Sequence, residues 1–151
     1  MMTMQDQMRR MRELYPNFQV TLDLGWYVAW EGNLRPLART YRVHVAFTLK
    51  DRLGDLRINM PLLSVRLIEP KLAIACDLAP GQLVPHIYPN TSDLTRSCLC
   101  LFDPAQEEWT PDMAIADTTL PWTIDWLTSY EGWLATGHWT GGGRDHARVC
   151  I

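Results

Sequence analysis

The chain has 151 residues, 47% hydrophobic and 21% charged, which suits one domain with a single core and no need of disulfide staples. A net charge of −3 without any basic run excludes a surface that tracks a phosphate backbone, so nucleic acid is not an expected partner. No apolar run approaches the roughly 20 residues of a membrane span, and MMTMQDQMRRMRELYPN lacks the apolar block of a secretory signal, so a soluble cytoplasmic protein is expected.

Met4, Met8, Met11 and Tyr15 fall on one face of a helix while Gln5, Arg9, Arg10 and Arg12 face water. Thr3 is a suitable N-cap, Pro16 ends the helix, and the methionine face is read as core. The period then changes to two. Phe18, Val20, Leu22 and Leu24 alternate with polar neighbours, Gly25 breaks the run, and Trp26, Val28 and Trp30 resume it. Tyr41, Val43, Val45, Phe47 and Leu49 give the clearest alternation, with His44 on the polar, solvated side. A turn follows at residues 51–55, and Leu63, Val65 and Leu67 form a further strand closed by Pro70. Short connections imply antiparallel pairing, hence a helix followed by a four-stranded meander.

Residues 71–84 are apolar without a clear period, and Cys76 among them reads as a small core thiol. The stretch PHIYPNTSDLTRSCLCLFDPAQEEW, residues 85–109, combines two prolines with a polar run and reads as an irregular surface segment rather than a helix or a buried central strand. Residues 117–121, DTTLP, are a helix start in which Asp117 or a threonine caps. Trp122, Trp126, Tyr130 and Trp133 then recur at helical spacing, and Gly137 is the natural stop. This helix is expected to lie across the sheet and fill the core. Residues 141–151, which include Gly141, Gly142 and Gly143, are expected to be a flexible tail after a domain spanning 1–140.

Cys76, Cys98, Cys100 and Cys150 form no pair of Cys-x-x-Cys motifs, and free thiols are ordinary in a reducing compartment. Neither a metal nor a cofactor is expected. The chemistry-bearing residues gather in the central stretch, where two thiols, Cys98 and Cys100, follow His86. In an extended segment the two thiols lie on the same side, so geometry does not separate them.

The order of elements and the local residues together resemble the ubiquitin-conjugating enzyme family. Pro85, Ile87, Tyr88, Pro89 and Asn90 look like its proline, apolar residue, Tyr-Pro pair and turn; Leu99, Cys100 and Leu101 look like the context of its catalytic cysteine, and Trp109 like its downstream tryptophan. His86 stands where the family has its asparagine and Val84 where it has its histidine, and the turn from Asn90 to Ser97 is longer than usual. The resemblance implies an α+β, ubiquitin-conjugating-enzyme-like fold: N-terminal helix, four-stranded antiparallel meander, active-site loop and long C-terminal helix. The run from Leu99 to Gly143 is similar to stand-alone bacterial members in cyclic-oligonucleotide antiphage signalling. That likeness implies a thioester between the cysteine and the carboxyl terminus of a cGAS/DncV-like nucleotidyltransferase, which is thereby conjugated to a lysine of a target protein and activated.

Such a transfer needs a thiolate nucleophile and a donor for the tetrahedral oxyanion. The resemblance favours Cys100 over Cys98 as nucleophile, with Cys98 as a neighbour able to resolve an oxidised Cys100. His86 takes the asparagine's place, with an imidazole N–H able to meet an oxyanion or brace the loop. Asn90 belongs to the turn. Asp103 raises a nearby thiol's pKa, which suits a thiol accepting an already activated acyl group. Asp117 is read first as a helix cap and second as a contact for an incoming lysine, while Gln106, Glu107 and Glu108 are read as a solvated loop. Two other readings fit the same residues: a non-catalytic binding module of this fold, and a cysteine hydrolase using His86 as base. No Gly-rich phosphate loop is present, so acyl activation must come from a partner.

Overall fold

A computed structural model describes residues 2–49, 62–103 and 106–141. The first helix, α1 (Met4–Leu14), begins at Thr3, whose hydroxyl accepts from the Asp6 N–H while the Asp6 carboxylate accepts from the Thr3 N–H. This reciprocal capping box satisfies two donors that the helix start otherwise leaves open. Met4 and Met11 are buried, as the spacing predicts, and Met8 packs against the same core.

Four strands follow in one antiparallel sheet of order β1-β2-β3-β4: β1 (Gln19–Asp23), β2 (Tyr27–Leu34), β3 (Tyr41–Thr48) and β4 (Leu63–Glu69). The meander is therefore as the alternation predicts. The expected turn over residues 51–55 lies outside the described residues, as does the expected tail beyond Gly141. Val28, Trp30, Tyr41, Val43, Val45, Phe47, Val65 and Leu67 face the core. Gly32 is required beneath Phe18, because a Cβ there would overlap the phenyl ring.

Two strand details depart from the sequence reading. β1 is exposed along its whole length, with Val20 and Leu22 at 40% and 46% of full exposure, although its apolar residues alternate. It is an edge strand, and a register shift between Val20 and Leu22 breaks the alternation that would send both to one face. His44 is half-buried rather than fully solvated: it sits opposite Arg66 and Glu31, with Nδ1 3.7 Å from the Glu31 carboxylate. Burial, followed by the charge of Arg66, holds its pKa below the ordinary histidine value.

The second long helix, α2 (Thr119–Thr136), covers the core face, with Trp126, Tyr130 and Trp133 buried and the Tyr130 ring 6.1 Å from that of Tyr41. It stops at Gly137 in the left-handed conformation, φ 77°, where a Cβ would strike the Leu78 carbonyl. Cys76 is buried beneath it, its thiol donating to the Trp133 carbonyl at 3.4 Å, in keeping with a core thiol.

Asp117 does not cap this helix. Thr118 occupies the N-cap position and makes no side-chain cap bond. Asp117 instead accepts from both Nε and Nη2 of Arg10 at 2.8 and 2.9 Å, tying the start of α2 to α1. A bidentate guanidinium is a stronger partner for a carboxylate than one helix N–H, and it holds the Asp117 pKa below the usual range. Gln7 makes the buried counterpart of this link. Its amide donates to the carbonyls of Met113 and Pro111 and accepts from the Ile115 N–H, so α1 is fastened to residues 111–117 by both a surface ion pair and a buried amide.

Candidate active site

The central stretch is not irregular throughout. Ile87 and Tyr88 form β5, Cys98 and Leu99 form β6, and the two pair antiparallel with Ile87 opposite Leu99 and Tyr88 opposite Cys98. Pro85 and Pro89 flank β5 without interrupting it, which is why two prolines in the stretch do not abolish a ladder. The connection is held by Asn90, whose side-chain oxygen accepts from the N–H groups of Ser92 and Asp93, and by Asp93, which caps a short 3-10 turn over Leu94–Arg96. Ser97 closes it, its hydroxyl accepting from the Asn90 N–H at 2.9 Å. Asn90 is thus a turn-forming residue, as expected.

Cys100 directly follows β6. Its N–H donates to the His86 carbonyl at 2.9 Å, and the same carbonyl accepts the indole N–H of Trp126 at 2.8 Å. His86 takes a left-handed backbone, φ 52°, a region that histidine and asparagine enter more readily than most residues with a Cβ. Its ring lies 5.3 Å from that of Trp139, which in turn meets Trp126 edge-on at 5.1 Å. Burial separates the thiol-bearing residues where the sequence did not: Cys100 is 8% exposed and Cys98 is half-buried.

The segment beyond Cys100 is braced from both sides. The Tyr88 hydroxyl donates to the Phe102 carbonyl at 2.7 Å, and the Glu108 carboxylate accepts from the Asp103 N–H at 2.8 Å. Glu108 is therefore half-buried and bonded, not part of a solvated loop; no local pattern marks an acidic residue five positions downstream as a brace. Phe102 packs 6.0 Å from Trp109 and 6.3 Å from Trp122, while Trp109 reaches Phe47 on β3 and donates its indole N–H to the Thr118 hydroxyl. Sheet, helix and candidate loop thus share one aromatic contact network.

The structure brings His86, Cys98 and Cys100 together at the β5–β6 hairpin, with Asp103 on the loop that follows. Asp117 stands apart in the link to α1. The sequence reading missed Trp126 as a partner of this hairpin and gave Trp139, which lies within the run from Leu99 to Gly143, no contact with it. A signal for the first existed, since a buried indole N–H usually finds an acceptor.

The model of the type II CBASS E2 protein family matches residues 7–147, which take in most of α1, the sheet, the hairpin and α2. The chain belongs to the type II CBASS E2 family. Its α+β architecture, a four-stranded antiparallel sheet with a helix before and after it, is compatible with the E2-like fold, and membership links it to CBASS antiphage defence. No curated protein matches the chain significantly. Among the described residues of this E2 family member, no group of three metal-ligating side chains occurs and no helix is long and apolar enough to cross a membrane.

Proposed function

We propose that this E2 family member is an acyltransferase with Cys100 as its nucleophile, accepting the carboxyl terminus of the cGAS/DncV-like nucleotidyltransferase of its defence system and passing it to a lysine of a target protein. The observation that carries the reading is the placement of Cys100. It directly follows a short strand, its N–H is fixed on the His86 carbonyl, and the chain just beyond it is tied down at Phe102 by Tyr88 and at Asp103 by Glu108. A nucleophile held this way meets an incoming carbonyl in one geometry, which is where proximity acts.

In the first step the Cys100 thiolate attacks the activated carboxyl-terminal carbonyl. A carbon–sulfur bond forms, the activating group leaves, and the chain holds a thioester. In the second, a lysine amine attacks that thioester, the carbon–nitrogen bond forms, the thiolate departs, and the amine loses its proton to solvent. Both steps pass through an oxyanion. The Cys100 N–H, already donated to His86, does not serve it, so we assign the His86 imidazole N–H as donor in the place of the family's asparagine. Asn90 and Asp103 keep the surrounding loops in shape, and Cys98 is the neighbour able to resolve oxidised Cys100.

Co-expression with the neighbouring nucleotidyltransferase tests the reading. Conjugates of the nucleotidyltransferase form with the parent and with Cys98→Ala and disappear with Cys100→Ala. Conjugation that survives Cys100→Ala overturns it.

A further inference from the structure

Two buried tryptophans on α2 differ in one respect. The Trp133 indole N–H is buried with no hydrogen-bond partner among the described residues, whereas that of Trp126 donates to the His86 carbonyl at 2.8 Å. The Trp133 indole thus packs in the core, whereas Trp126 reaches the same peptide oxygen that accepts the Cys100 N–H. That oxygen belongs to a residue in the left-handed region, a conformation that a side chain with a Cβ disfavours and that persists only where the surroundings fix it. Two donors on one carbonyl, one from the helix and one from Cys100, are such a fixing. The stacking of Trp126 on Tyr130, centroids 5.2 Å apart, and its edge contact with Trp139 keep the indole itself from turning away.

We propose that Trp126 is a positioning residue for Cys100, its indole N–H setting the His86 peptide so that the Cys100 backbone is held in register at the end of β6. The inference rests on the acyl-transfer reading of Cys100 and names what orders that site. Trp126 touches no reacting atom. It acts through the His86 carbonyl, and its removal leaves both the thiol and the imidazole in the chain.

The test compares Trp126→Phe with Trp133→Phe, two equal losses of buried ring of which only the first removes a bonded N–H. Cys100 is alkylated with iodoacetamide across a pH series, and the Cys100 peptide is followed by mass spectrometry well below each variant's Tm. With Trp126→Phe the thiol reacts about 3- to 10-fold faster than in the parent, the span one hydrogen bond supports, because the loop that keeps Cys100 8% exposed is loosened. Conjugation of the co-expressed nucleotidyltransferase falls by a similar factor. Trp133→Phe leaves both rates within about twofold, whatever it does to Tm. Opposite movements of alkylation and conjugation are what loss of positioning produces and loss of packing does not. If the two variants share one alkylation profile, Trp126 only packs and the proposal is overturned. If too little Trp126→Phe folds, 3-benzothienylalanine at position 126, an isostere of indole without the N–H, carries the same comparison. Alkylation needs no acyl donor, so a parent that never conjugates overturns the transfer reading alone and leaves the alkylation comparison decisive for Trp126.

Discussion

The N–H of Cys100 and the carbonyl of His86 are hydrogen-bonded at 2.9 Å, so the backbone of the candidate nucleophile is spent on holding its own loop. In many acyl-transfer sites a backbone N–H of the nucleophile's segment receives the oxyanion. In the proposed transfer that task passes to the His86 side chain, which makes position 86 the place to test.

Substitutions at position 86 separate its side chain from its backbone. Glycine suits φ 52° at no steric cost, whereas alanine keeps the strain without the imidazole. His86→Gly therefore retains the parent Tm more closely than His86→Ala, and both lose about 100-fold in transfer rate, the size expected when one oxyanion donor goes. His86→Asn, with a donor amide and tolerance of the left-handed region, retains most of the rate. Full activity in His86→Gly, measured as single-turnover transfer, rules out the imidazole as donor.

Gln7 is predicted to be the costliest polar residue of α1 to remove. Gln7→Ala leaves the buried Ile115 N–H and the partly buried Met113 carbonyl with their shared partner gone, for a loss of about 1–3 kcal/mol. The urea midpoint falls while the slope stays constant. A variant as stable as the parent contradicts the role assigned to this amide.

Stability is expected to fall on mild acidification through His44. Its folded pKa lies below the unfolded value near 6.5, because burial and Arg66 disfavour the imidazolium. The unfolded chain therefore binds the proton first. The contribution is fully present above about pH 6.5 and is lost as pH drops through the lower folded pKa. His44→Gln flattens this part of the Tm profile. An unchanged profile in the variant assigns the acid sensitivity to other groups.

The parts of the fold legible in the sequence are those where one face decides everything. Tyr41 to Phe47 alternates because one side of β3 meets the core, and Trp126, Tyr130 and Trp133 recur at helical spacing for the same reason. β1 misled because its alternation carries no burial: at a sheet edge with a shifted register, Val20 and Leu22 remain exposed. Glu108 reads as solvated, Asp117 as a local helix cap and Gln7 carries no signal at all, because the partner of each lies five or more than a hundred positions away. Of the candidate site, the residue types could be named from the stretch around Cys100. The bond from Trp126 and the left-handed His86 are tertiary facts, with no periodicity to announce them.

The central claim is a thioester on Cys100, and intact mass spectrometry of the protein purified with its neighbouring gene products, with and without reductant, tests it most directly. A protein-sized adduct on the Cys100 peptide that thiol treatment removes, and that Cys100→Ser converts to an adduct resistant to thiols, is the predicted result. Parent and Cys100→Ser both free of adduct, with the nucleotidyltransferase present and intact, contradict the claim and leave a binding module of the same fold.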